Sequence, residues 1–248
     1  MQTVEPETEV KERGLYFFTK TVNTLRSIKL LFNSGDIVSA RILMRSLFEI
    51  TVQTKKLIKD KEIFIKYSKA YEEFKVMESS KIALKDEIYS FYTKEELDLS
   101  IEKAKSEIED LGFRASWNEN NGKPHVMKYF EIKNMADDVE WDFLYETAYK
   151  NLCSDTHTSA LHFHKYFIGE GTEVKFNLHP YLHELDLMIS IVIGFVSDFI
   201  SDFCLLVNLS ENNLANVQLN KMFQMCYMFM PMLIKQGLAK KNNIALVF

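Results

Sequence analysis

Residues 37–59, IVSARILMRSLFEITVQTKKLIK, form the most telling run in the chain. The run is long and apolar and holds no Gly or Pro, which predicts a helix. Three charges are set into its interior: Arg41, Arg45 and Glu49. They recur every fourth residue and therefore share one face. A charged row on an apolar helix must either meet water or be paired inside. The expectation is a central helix over residues 36–59 with other helices packed round it and one polar seam.

The flanking sequence fits this plan. Leu15, Phe18, Val22, Leu25, Ile28 and Leu31 recur at three or four and predict a first helix from Glu9 to Phe32. Asn33-Ser34-Gly35-Asp36 reads as a tight turn with Asp36 as N-cap of the central helix. Such a short connection makes the two helices antiparallel neighbours. Asp60 ends or kinks the central helix. Glu62 to Tyr92 then reads as helical, with Phe64, Tyr67, Tyr71, Phe74, Met77 and Ile82 on one face. Thr93 and Glu96 form a capping box that starts a charged, solvent-facing helix over 93–111.

Residues 112–126 read as a loop. Met127–Met135 and Asp138–Asn151 follow as two short helices. Residues 166–176 suit a small β-hairpin around Gly169 and Gly171. A long helix over 181–209 and a Met-rich helix over 212–240, kinked at Pro231, complete the chain. Residues 1–8 read as a disordered tail. The whole predicts an all-α, single-domain antiparallel bundle over 9–248.

Composition narrows the function classes. The 248 residues carry a net charge of −5, which argues against general coating of nucleic acid. Residues 11–59, however, hold ten Lys or Arg against three Asp or Glu, so the first helical pair is basic on an acidic body. Cys153, Cys204 and Cys226 are far apart and show no zinc spacing. A reducing cytoplasm fits, and the opening residues do not form a signal peptide. Between Asp186 and Asp198 only eleven residues are uncharged, which reads as a buried core helix and not a membrane span. Asp198 and Asp202 share a face of that helix and read as a solvated stripe. The clustered histidines from His157 to His183 contain no HExxH and give no metal site; no cofactor is expected.

The chemistry-bearing set joins the central helix to residues 149–157. Arg45 can hold a phosphate through two parallel hydrogen bonds. His157 can give and take a proton near neutral pH. Arg41, Glu49, Tyr149 and Ser154 are positioned to orient them. The same residues also read as an Arg–Glu pair tied to a Tyr hydroxyl inside the bundle.

Arg45-Ser46-Leu47-Phe48-Glu49, followed later by Tyr149 and His157, resembles the RSLxE…Y…H pattern of an uncharacterised bacterial all-helical family, a domain of unknown function. The likeness runs from Ala40 to Ala160. That family is more remotely similar to the HEPN domains of bacterial toxins and phage-defence systems. The resemblance implies metal-independent RNA cleavage, or nucleotide binding, at a dimer interface. HEPN nucleases pair an Arg with a His a few residues later; this chain has no such pair, and Arg45 with His157 would replace it. The alternative is a non-catalytic interaction module that forms a homodimer through the C-terminal helices.

Overall fold

The computed structural model describes residues 6–85, 92–115, 124–154, 167–168, 175–176 and 185–207. Helix α1 (Pro6–Ser34) starts three residues before the expected position. Helix α2 (Ile37–Lys59) follows after a two-residue turn. Gly35 takes φ 77°, a left-handed conformation that glycine adopts without a Cβ clash. The Asp36 carboxylate accepts from the Ser39 N–H at 3.1 Å and caps α2 as expected. Helix α3 (Lys61–Lys85) begins just beyond Asp60, whose N–H closes α2 on the Lys56 carbonyl at 3.1 Å.

Helix α4 (Lys94–Asp110) starts at the complete Thr93–Glu96 capping box. It is charged outside but not wholly solvated. Leu97, Ile101, Ala104 and Ile108 are buried, three of them in a core shared with Ala70, Phe74 and Met77 of α3. Helices α5 (His125–Tyr129) and α6 (Ile132–Asp138) are short. Helix α7 (Asp142–Leu144) runs through a π-helical turn (Tyr145–Tyr149) into α8 (Lys150–Ser154). The breaks therefore fall at Phe130 and at Val139–Trp141, not at Met135. Phe167–Ile168 (β1) pairs antiparallel with Lys175–Phe176 (β2), within the expected hairpin. Helix α9 (Leu185–Leu206) is the last described element, and the expected helix over 212–240 lies outside the described residues.

α2 is the hub. Ala40, Met44, Leu47, Phe48 and Val52 form one core with Ile28 of α1, Met135, Trp141, Tyr149 and Met188 and Phe195 of α9. Ile50 and Leu57 form a second core with Val10, Phe17, Phe64, Phe199 and Leu206. Early residues of α9 meet early residues of α2, and late meet late, so the two helices run in the same direction. The Thr51 hydroxyl reaching the Phe195 carbonyl at 3.5 Å, and Lys55 reaching Asp202 at 3.1 Å, fix that register.

Some facing was misjudged. Leu15 and Ile82 are 58% and 54% exposed, and Val10, Gly14, Phe17, Thr21 and Ile28 carry the buried seam of α1. The reason is geometric: Gly14 lies against Leu206 and Phe203 of α9, so its neighbour Leu15 falls on the outer face of α1. Asp202 is not on a solvated stripe either. Its carboxylate faces Lys55 with side-chain exposure of 15%. By length and composition Met188–Leu206 is apolar enough to cross a membrane, the interruption by Asp198 and Asp202 notwithstanding. In this fold it packs on α1 and α2.

Candidate functional site

The polar seam of α2 meets the π-helical turn. Arg45 and Glu49 are one turn apart on α2, and Arg45 Nε donates to Glu49 Oε1 at 2.9 Å. The Tyr149 hydroxyl closes the set from 104 residues away in sequence: it accepts from Arg45 Nε at 3.2 Å and donates to Glu49 Oε1 at 2.8 Å. One turn earlier, Arg41 Nη2 donates to the Asn151 carbonyl at 3.4 Å. The predicted partners Arg41, Arg45, Glu49 and Tyr149 are thus brought together. Ser154 is the last residue of α8, and His157 lies outside the described residues.

Packing holds Tyr149 in place. Its ring is buried, tilted against Phe48 at 4.9 Å and stacked with Tyr145 at 5.1 Å and 24°. Burial, then the hydrogen bond to Glu49, pushes the phenol well above its ordinary value, so the hydroxyl stays protonated and remains a donor. Burial acts to lower the Arg45 value, but the hydrogen bonds to Tyr149 and Glu49 outweigh it and hold the guanidinium above normal. Arg45 stays charged in any case.

The seam is paired but not sealed, with side-chain exposures of 31% for Arg45 and 27% for Glu49. Among the described residues, Arg45 is engaged through Nε alone. Its two Nη nitrogens have no hydrogen-bond partner among the described residues. A guanidinium fixed along one edge presents the other as a two-pronged donor, matched to phosphate or carboxylate.

Sequence reasoning missed Cys153. Burial raises its thiol, and the Arg45 charge and the Tyr149 hydroxyl act in the opposite sense, which places it beside the seam. A cysteine four residues after Tyr149 was the available signal. It also missed a structural cluster at the far end of α2. Lys56 is nearly buried, pairs with Asp60 at 2.5 Å and with Asp138 of α6, and lies 4.8 Å from the centre of the Tyr129 ring. Lys59 adds a 3.2 Å contact to Asp138. These four charges compensate one another and tie α6 to α2. Among the described residues, no group of His, Cys, Asp and Glu side chains is arranged to hold a metal ion.

No curated protein and no solved structure matches the chain. A family model does match, over residues 12–174, a span that takes in most of α1, all of α2 to α8 and every residue of the seam. The chain belongs to that family, DUF5677, a family of unknown function.

Proposed function

We propose that this chain is a HEPN-like effector that cleaves RNA or binds a nucleotide, with Arg45 holding a phosphate. The observation that carries this reading is the guanidinium fixed by Glu49 and Tyr149 along one edge, with its Nη edge unpartnered among the described residues. His157 is the acid–base group in this proposal; Arg41, Glu49, Tyr149 and Ser154 position the pair. The ribose 2′-oxygen bonds to the adjacent phosphorus as its proton passes to a base. The bond from phosphorus to the 5′-oxygen breaks and that oxygen takes a proton. The products are a 2′,3′-cyclic phosphate and a 5′-hydroxyl. The nucleophile is part of the substrate and the developing charge is met by arginine, so the step needs no metal.

The test is incubation of the purified protein with end-labelled RNA, with and without EDTA. Cleavage in both, leaving cyclic phosphate ends, is expected. His157→Ala should lower the rate about 100-fold or more. Arg45→Lys keeps the charge but loses the fork, and should weaken both cleavage and nucleotide binding. A protein that neither cuts RNA nor binds a nucleotide overturns the reading.

A second reading, a non-catalytic module dimerising through the C-terminal helices, is favoured by one feature. Leu205 on α9 is 64% exposed, and Ile193 and Cys204 are only half-buried. Sedimentation tests it: a monomer at all concentrations counts against it.

A further inference from the structure

Beyond the phosphate-holding arginine, the seam continues into a ladder of rings and cations. The Arg45 guanidinium carbon lies 5.5 Å from the centre of the Tyr149 ring. Tyr149 stacks with Tyr145 at 5.1 Å and 24°. The Lys150 ammonium lies 5.8 Å from the centre of the Tyr145 ring. The order is cation, ring, ring, cation. The π-helical turn builds it, for the Lys150 N–H reaches back five residues to the Tyr145 carbonyl. Such widened turns are common at functional sites.

The inner and outer halves of the ladder differ. Tyr149 is buried and committed to Glu49 and Arg45. Tyr145 is half-buried, and Lys150 is well exposed, paired with the exposed Glu146 one turn earlier. An exposed pair of this kind is worth little, so Lys150 is cheaply released to another anion. Tyr145 has Tyr149 on one face and the exposed Lys150 ammonium on the other. A base that takes the ammonium's place on the outer face leaves Lys150 and Arg45 to meet phosphates, which fits a strand that alternates phosphates with aromatic bases. Unpaired bases stack on such rings, whereas paired bases keep their faces covered.

We infer that Tyr145 is the platform for an unpaired base of single-stranded RNA, with one flanking phosphate on Arg45 and the next on Lys150. This rests on the reading of Arg45 as a phosphate holder. It adds a selectivity that Arg45 alone does not supply: single strand over duplex, and base-bearing over abasic sugar.

Fluorescence anisotropy with the full chain tests it. The probes are a labelled single-stranded RNA, the same strand with abasic sites, and its duplex, each measured against the parent protein, Arg45→Lys, Tyr145→Phe, Tyr145→Leu and Lys150→Gln. Tyr145→Phe keeps the ring and should bind as the parent does. Tyr145→Leu keeps apolar bulk without the ring, and should lose roughly 5- to 100-fold for the single strand, the range expected from removing one base–aromatic stack. It should lose nothing for the abasic strand. Lys150→Gln should weaken both strands alike. If Arg45→Lys weakens binding while Tyr145→Leu and the abasic strand behave as the parent and the intact RNA do, the platform is wrong and the phosphate site stands. If the parent binds no RNA of any kind, both fall. Circular dichroism melts of Tyr145→Leu and Tyr145→Phe show whether the fold is kept; equal melts with equal affinities also overturn the platform.

Discussion

Tyr149 is the residue on which the site turns, because a single oxygen both accepts from Arg45 and donates to Glu49. Tyr149→Phe leaves the 2.9 Å ion pair in place but removes both bonds. The expected cost is about 1–2 kcal/mol of stability, read as a lower urea midpoint at unchanged slope. If the midpoint does not move, the hydroxyl does not hold the seam. Asp138 gives a prediction of a different kind. Hydrogen bonding to Lys56, then to Lys59, holds its carboxyl below the usual 3.8. A carboxyl depressed in the folded state contributes stability that is present in full above its unfolded value. That contribution is lost as the pH falls through the folded one. Stability should therefore drop on acidification below about pH 4. Asp138→Asn should be less stable at pH 7 and should lose less over that acid range. Parallel pH profiles for the two proteins would show the linkage to be absent.

At the scale of the element, the starts of helices were legible and the irregular ends were not. Asp36 before α2, and Thr93 with Glu96 before α4, are local signals, since a capping side chain acts within three residues. The end of α6 carries no such signal. There Trp141 N–H reaches the Ala136 carbonyl at 2.7 Å, closing the helix in the way glycine usually permits. The residue that takes the left-handed conformation is Glu140, at φ 61°, so the sequence lacks the expected glycine and the break was misplaced. The same fact yields a prediction. Glu140 is exposed and carries a Cβ in a region that disfavours one. Glu140→Gly relieves that strain at the cost of added freedom in the unfolded chain, for a net gain of about 0.5–1 kcal/mol. A thermal midpoint that falls on substitution would mean that the Glu140 side chain contributes more than its backbone costs. The π-helical turn was equally unreadable, because Tyr145 and Tyr149 four apart look the same in an ordinary helix.

For the whole molecule, the central helix and its charged row could be read from periodicity alone, since both are properties of one contiguous segment. What brings Tyr149 to that row is not local: Phe48, Trp141 and Phe195 crowd around one another from three parts of the chain and set where the π turn lies. Complementary chemistry and the RSLxE…Y…H resemblance pointed to Tyr149 as a partner; packing decided the contact. Charge distribution raises the remaining question of whether RNA would be held at one seam or over the broad basic surface of residues 11–59. Salt separates the two. Each phosphate neutralised on a single strand contributes a slope of about −0.7 to log K against log salt. Contacts confined to Arg45 and Lys150 give a slope between about −1 and −2, and Lys150→Gln reduces it by nearly one contact. Binding spread over α1 and α2 would involve at least Lys20, Arg26 and Lys29 and give a slope of about −2 or steeper, insensitive to Lys150. The shallow slope is the expected result. A steep one would move the binding surface from the seam to the outer face of the first helical pair, and would leave Arg45 with the structural role of closing the bundle.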